Sequence, residues 1–298
     1  EQIELGLAGD FKAKGVVGVI APWNFPIAIC CGMTTAALCS GNSVIVKPAE
    51  QTSLIGRKFV QLCYEAGIPQ DVLQMTFGEA EVGQAIVSHE LIVGVVFTGS
   101  KAVGESIYRK LSKEKTSDRY DYPSEPKFAI TEMGGKNAII VTNNCELDET
   151  VSGILYSAFA HSGQKCSAAS RIIIDEKIKD AFIQRFTKAV EDIQVGEAFH
   201  YATVINPLIT QEDQSRVRTM AQEAATEVKQ YGGRTLIDRS QELVPGHCVG
   251  PSVFEIPADI TMRKETIASK EVFGPLVHLI PYKELDEAIM LFNSTEYA

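Results

Sequence analysis

Val93-Gly94-Val95-Val96-Phe97-Thr98-Gly99-Ser100-Lys101-Ala102-Val103-Gly104 carries the pattern on which the chain is built. The β-branched and aromatic run at 93–97 suits a buried strand, and it passes through a glycine into a helical pattern over 101–113. Backbone N–H groups and the positive dipole end at such a helix start suit a phosphate. Without the full Gly-x-Gly-x-x-Gly fingerprint, a plain strand-to-helix turn explains the segment equally well. The same alternation precedes it, with strand-like 16–20, 43–46 and 72–77 followed by helical 27–40, 53–66 and 80–88. Gly41-Asn42 stands before one strand, and Gly67-Ile68-Pro69 closes the helix before another. Such alternation implies parallel strands joined by crossover helices, an α/β fold.

Beyond a polar loop at 113–126, a second α/β half starts near Glu132. Strands are expected at 137–141, 171–174, 252–255 and 275–281, with helices near 147–161, 177–192, 211–229 and 284–293. The end directly after an apolar helix suggests a truncated chain. The 298 residues are 45% hydrophobic and 22% charged, enough for two cores. No apolar run reaches a membrane span and no leader pattern opens the sequence, so a soluble, cytoplasmic protein is expected. The net charge of −10 is spread without a basic stripe, which disfavours nucleic acid and anionic membranes as partners. Seven cysteines, at 30, 31, 39, 63, 145, 166 and 248, form no zinc spacing and point to a reducing compartment with no metal. Those at 30, 31, 39 and 63 sit among apolar neighbours and read as small core residues.

Three residues have the chemistry of a catalytic centre, each with a plainer alternative. Cys166 lies in a loop beside Lys165 and small residues, where a neighbouring cation favours the thiolate; it is a nucleophile or simply an accessible thiol. Glu132 ends a strand ahead of Gly134-Gly135, aimed into a crevice or merely solvated. Asn24, in Pro22-Trp23-Asn24-Phe25-Pro26, is a rigidly held amide donor or a cap for the next helix. Past the second strand, the Glu50 carboxylate suits the ribose hydroxyls of a dinucleotide, where it would repel a 2′-phosphate and favour NAD; Lys47 and Glu50 suit a surface ion pair equally well.

In sequence order, PWNFP, KPAE, FTGS with a later glycine, EMGGK, GQKCSA and EVFGP resemble the aldehyde dehydrogenase superfamily over essentially the whole chain. The resemblance implies a partial Rossmann-like NAD-binding domain over 15–131, an α/β catalytic domain over 132–298, and one strand of an oligomerisation hairpin within 1–14. It also implies further sequence at both ends in the complete protein, which would be a homo-oligomer. Cys166 would attack an aldehyde, Asn24 and the Cys166 N–H would hold the oxyanion, and Glu132 would activate water against the thioester. Lys47 and Glu50 would contact the adenosine ribose, Ser100 the pyrophosphate, and Glu271 with Phe273 the nicotinamide ribose. Trp23, Gly78, Gly83, Gly99, Gly104 and Gly134 complete the implied NAD contacts.

Within the family, FAHSGQKCSAASR and the long loop before EMGGK resemble the Δ1-pyrroline-5-carboxylate dehydrogenases, which oxidise glutamate γ-semialdehyde to glutamate in proline catabolism. On that likeness Ser167 would bind the substrate carboxylate, or cap its turn, and Phe25 would pack on the aliphatic part. An acylating relative that uses coenzyme A would not need Glu132. A non-catalytic binding domain that keeps the scaffold would show no unusually reactive Cys166. A short-chain oxidoreductase is excluded because neither Tyr64 nor Tyr108 has a lysine four residues on.

Overall fold

The computed structural model describes residues 13–116, 125–263 and 265–297. Nearly all of the segment expected to form a hairpin strand, 1–14, lies outside the described residues, as does the middle of the 113–126 loop. The chain divides into two compact units, Glu1–Met133 and Gly134–Ala298.

The first unit runs β1 (Val16–Ile20), α1 (Ala28–Cys39), β2 (Ser43–Lys47), α2 (Ser53–Glu65), β3 (Leu73–Met75), α3 (Ala80–Ser88), β4 (Ile92–Thr98), α4 (Lys101–Leu111) and β5 (Phe128–Glu132). Its five strands are all parallel, in the order β3-β2-β1-β4-β5. Alternation along the strands separates two cores. Val17, Val19, Val44 and Val46 meet Cys30 of α1 and Phe59, Val60 and Cys63 of α2, whereas Val95 and Phe97 meet Ile86 of α3 and Ile107 and Leu111 of α4. Each such fully buried side chain contributes roughly 1.5–3 kcal/mol. Both glycine stops work as expected: Gly67 (φ +96) and Ile68 bond back to Tyr64 O and Cys63 O, and Gly41 (φ +81) and Asn42 to Leu38 O and Ala37 O. Burial and solvent exclusion raise the Cys30 thiol to about 11 and the Cys63 thiol also upward, as befits core residues. Cys39 is exposed instead of packed.

The second unit contains β6 (Ala138–Val141), α5 (Leu147–Phe159), β7 (Arg171–Asp175), α6 (Lys179–Glu191), β8 (Gln194–Val195), β9 (Thr203–Ile205), α7 (Gln211–Gln230), β10 (Arg234–Asp238), β11 (Ser252–Glu255), α8 (Ala258–Thr261), β12 (Leu276–Tyr282) and α9 (Leu285–Phe292). Its main sheet has the order β10-β11-β12-β7-β6, parallel except for β10. Helices α5 and α6 cover one face through Ile154, Phe159, Phe182 and Phe186. On the other face lie α7 and α9, through Val217, Ala221, Val228 and Leu291. Thr210 caps the start of α7, its hydroxyl accepting from Asp213 N at 3.1 Å and donating to the Asp213 carboxylate at 3.0 Å. β10 was not expected: it is an edge strand with Ile237 its one buried residue, so it lacks a strand-like apolar pattern. The short β8–β9 pair was missed for want of length. Among the described residues, no helix is long and apolar enough to cross a membrane.

Candidate active site

In the first unit the singled-out residues gather at the carboxyl ends of the parallel strands. Register aligns Lys47 with Ile20 across β2 and β1, Ile20 with Phe97 across β1 and β4, and Thr98 with Glu132 across β4 and β5. Strand order reverses between β1 and β4, so this edge is the switch point at which open α/β sheets bind ligands. The turn after β1 carries Trp23, Asn24 and Phe25, with the Asn24 side chain buried. Helix α1 takes Ile27 as its N-cap, so Asn24 does not occupy the capping position.

After β2, the Lys47 ammonium is buried, donates to Pro48 O at 3.3 Å and lies 3.8 Å from the half-exposed Glu50 carboxylate. The ion pair considered from sequence therefore exists, and Glu50 keeps an open face. After β3, Gly78 (φ +145) leaves no room for a side chain against Val82, whereas a Cβ at Gly83 would meet nothing. Ser100 is the N-cap of α4. Gly99 and Gly104 make close packing possible: a Cβ at either would strike Phe97, and at Gly104 Met133 as well. Gly99 N donates to Glu132 O at 3.1 Å, which seats exposed Glu132 beside the turn before α4.

The second unit uses the opposite strand ends. Three loops enter β6, β7 and β12, whose register sets Ala138 beside Arg171 and Arg171 beside His278. They are Gly134–137, 161–170 with Cys166, and 271–275 with Glu271 and Phe273. Absent side chains let them close on one another. A Cβ on Gly135 would lie 2.7 Å from Cys166 O, and one on Gly134 would lie 2.1 Å from the Glu271 carboxylate. Glu271 Oε1 accepts from Gly135 N at 2.8 Å. Asn137 Nδ2 donates to Cys166 O at 2.5 Å and to Ala168 O at 3.2 Å. Cys166 is half-buried at this turn and Ser167 beside it is exposed. Gly135, Lys165, Ala169, Glu271 and Phe273 line a shallow pocket.

Buried charge lies under these loops. Lys136, almost fully buried, donates from Nζ to Ile267 O at 3.2 Å. Burial lowers its pKa to about 7, aided by Arg171 and opposed by Glu271 and Glu227. Burial likewise raises the carboxyls of Glu271 and Glu227, the first opposed by Gly135 N–H, Lys136 and Arg216, and the second chiefly by Ile267 N–H. Arg171 donates to Lys136 O, Leu291 O and Phe292 O at 2.8–2.9 Å. Arg216 of α7 donates to Val272 O at 2.6 Å, steadying the Glu271 loop. Asn137, Arg171 and Arg216 escaped the sequence reading; Asn137 alone had a signal, its place directly after the Gly-Gly-Lys turn. Among the described residues, no group of three or more His, Cys, Asp or Glu is arranged to hold a metal.

Comparison with known proteins shows the family of the chain. Residues 10–298 match the model of the aldehyde dehydrogenase family. A 1-pyrroline-5-carboxylate dehydrogenase of Geobacillus kaustophilus is 37% identical over 284 residues, covering 95% of this chain and 52% of the relative. A malonate-semialdehyde dehydrogenase of Listeria monocytogenes is 34% identical over 286 residues, covering 95% and 54%. Among solved structures, proline utilization A of Bdellovibrio bacteriovorus inactivated by N-propargylglycine superposes with a TM-score of 0.86 at 39% identity, over 96% of this chain and 28% of that one. The gamma-glutamyl-gamma-aminobutyraldehyde dehydrogenase of Burkholderia cenocepacia gives 0.85 at 31% identity, over 96% and 55%. The chain spans about half the length of the curated relatives it matches.

Proposed function

The chain belongs to the aldehyde dehydrogenase family, and on that premise we propose that it carries the centre of an NAD-dependent enzyme that oxidises an aldehyde to a carboxylic acid. The observation that carries the proposal is the convergence of Cys166, Gly134-Gly135 and Glu271 at one corner of the second unit. Residues 15–131 then form the NAD-binding domain and 132–298 the catalytic domain. The first unit suits NAD: Glu50 stands open past β2, Gly83 leaves space at the start of α3, and the α4 N-terminus follows β4 at the edge where strand order reverses. Lys47 and Glu50 would hold the adenosine ribose, Ser100 the pyrophosphate, and Glu271 and Phe273 the nicotinamide ribose. Trp23, Gly78, Gly99, Gly104 and Gly134 would supply further NAD contacts. An anionic Glu50 opposes a 2′-phosphate, which favours NAD over NADP.

In the reaction, the Cys166 thiolate adds to the aldehyde carbon, and the carbonyl π electrons move to oxygen as the carbon–sulfur bond forms. The Asn24 amide and the Cys166 N–H donate to that oxyanion. NAD, when bound, supplies the acceptor for the hydride that the former aldehyde carbon gives up as its carbonyl re-forms. A thioester on Cys166 remains. Glu132 takes a proton from water, the water oxygen adds to the thioester carbon, and the carbon–sulfur bond breaks to return the thiolate and release the acid.

We assign the aldehyde as glutamate γ-semialdehyde, in proline catabolism, on the strength of the FAHSGQKCSAASR loop and the 1-pyrroline-5-carboxylate dehydrogenase and proline utilization A relatives. Exposed Ser167 beside the nucleophile would bind the substrate carboxylate, and Phe25 would pack on its methylenes. The Listeria relative makes malonate semialdehyde the second reading. The assembled enzyme is expected to be a homo-oligomer working in the cytoplasm, where seven unpaired cysteines stay reduced. Following NADH absorbance with glutamate γ-semialdehyde, malonate semialdehyde and a simple aliphatic aldehyde tests the assignment. Preference for the first supports it; preference for malonate semialdehyde or the aliphatic aldehyde overturns the substrate while keeping the reaction.

A further inference from the structure

The chain enters the Cys166 turn through backbone that ordinary residues avoid. His161 (φ 61, ψ 24), Ser162 (φ 57, ψ 27) and Gly163 (φ 69) are consecutive left-handed residues, an arrangement with a steric cost at every position except glycine. Gly163 is required there, since a Cβ would lie 2.4 Å from Gly274 O. Ser162 is not required for its conformation, because glycine would adopt the same φ more easily.

What the serine adds is an anchor. Its side chain is completely buried, and Oγ donates to Asn206 O and accepts from Asn206 N, both at 2.9 Å. One hydroxyl thus satisfies both backbone groups of Asn206, the residue that follows β9, as a neighbouring strand would. Two residues on, buried Gln164 accepts from Ile209 N at 3.1 Å, so the approach to Cys166 is bonded along the 206–209 segment at two points. From there the chain reaches the turn whose far side Asn137 holds by Cys166 O and Ala168 O. The nucleophile turn is gripped from both directions.

We propose that Ser162 is a positioning residue: by bonding both backbone groups of Asn206 it holds the left-handed 161–163 turn that aims the Cys166 sulfur. The inference rests on the reading of Cys166 as the nucleophile and deepens it. The turn stores conformational strain, and without the Asn206 anchor it relaxes toward ordinary backbone, carrying Cys166 out of alignment while leaving it accessible.

The test compares the full chain with Ser162→Ala and Ser162→Gly, using two probes followed by mass on the Cys166 peptide. An activated ester, p-nitrophenyl acetate, acylates an aligned and activated thiol, whereas iodoacetamide needs only access. In both variants acylation of Cys166 is expected to fall about thirtyfold, the factor set by losing two neutral hydrogen bonds of ordinary strength, with no fall in alkylation. Thermal unfolding should place the glycine variant above the alanine variant, since glycine relieves the left-handed strain. If the alanine variant does not fold, the glycine variant decides. Acylation rates equal to the parent's, or acylation and alkylation falling together, overturn the proposal and leave Cys166 as the nucleophile. A parent whose Cys166 is not acylated overturns the nucleophile reading and the proposal with it.

Discussion

Substituting Lys136 by methionine should remove most of a pH dependence that the parent chain shows between pH 7 and pH 9. The ammonium is almost fully buried, and its pKa falls from 10.5 to about 7, with burial as the leading cause. A base that is harder to protonate when folded binds fewer protons in the native state than in the unfolded one throughout the interval between the two values. Stability therefore rises with pH across that window, and the cost of a buried charge is carried in full only below the folded value. Integrating from pH 7 to pH 9 gives a rise of about 2 kcal/mol from this residue alone. Urea unfolding at several pH values, parent against Lys136→Met, isolates it, since every other group titrates in both proteins. Losing the bond to Ile267 O lowers the variant by a constant amount and leaves the slope untouched. Parallel stability curves from pH 7 to pH 9 would show that Lys136 keeps its ordinary pKa in the folded chain.

Two adjacent glycines should behave differently. At Gly134 the nearest atoms to an added Cβ belong to the end of the Glu271 side chain, which can turn aside, so Gly134→Ala is expected to leave stability within about 1 kcal/mol while weakening NAD binding, measured by titration. At Gly135 it meets the Cys166 backbone, so Gly135→Ala should lower both unfolding temperature and turnover; equal effects from the two would contradict this. Arg171→Met removes a buried cation from three carbonyls and should cost about 3 kcal/mol or more in urea unfolding, and a loss under about 1 kcal/mol would contradict the role given to it. Glu50→Ser should raise the use of NADP relative to NAD by about tenfold, read from kcat/KM with each cofactor, and an unchanged ratio would remove Glu50 from the ribose site.

The strands of both sheets that pack on two faces were legible because their residues are apolar in unbroken or alternating runs, as in 16–20 and 171–174. β10 was not, since an edge strand buries so little that Arg234–Asp238 carries no period to detect. At the candidate site, the sequence offered rival readings that the structure divides unevenly. Asn24 is displaced from the capping position by Ile27, whereas Lys47 and Glu50 form their ion pair and the Glu50 side chain remains half-exposed. Ser162 and Arg171 were illegible for a common physical reason. Their work is hydrogen bonding to backbone 35 to 121 residues away, and neither residue type nor spacing announces such partners. Left-handed His161 and Ser162 were equally hidden, because neither is a glycine whose presence would flag the turn.

If Cys166 carries the acyl group through oxidation, its peptide shows this by mass in a Glu132→Gln chain given NAD and aldehyde. A single thioester on Cys166 is expected, formed with one equivalent of NADH and slow to hydrolyse, with neither adduct nor NADH in Cys166→Ala. NADH formation that survives Cys166→Ala, or an acyl group found on any other cysteine, would contradict it.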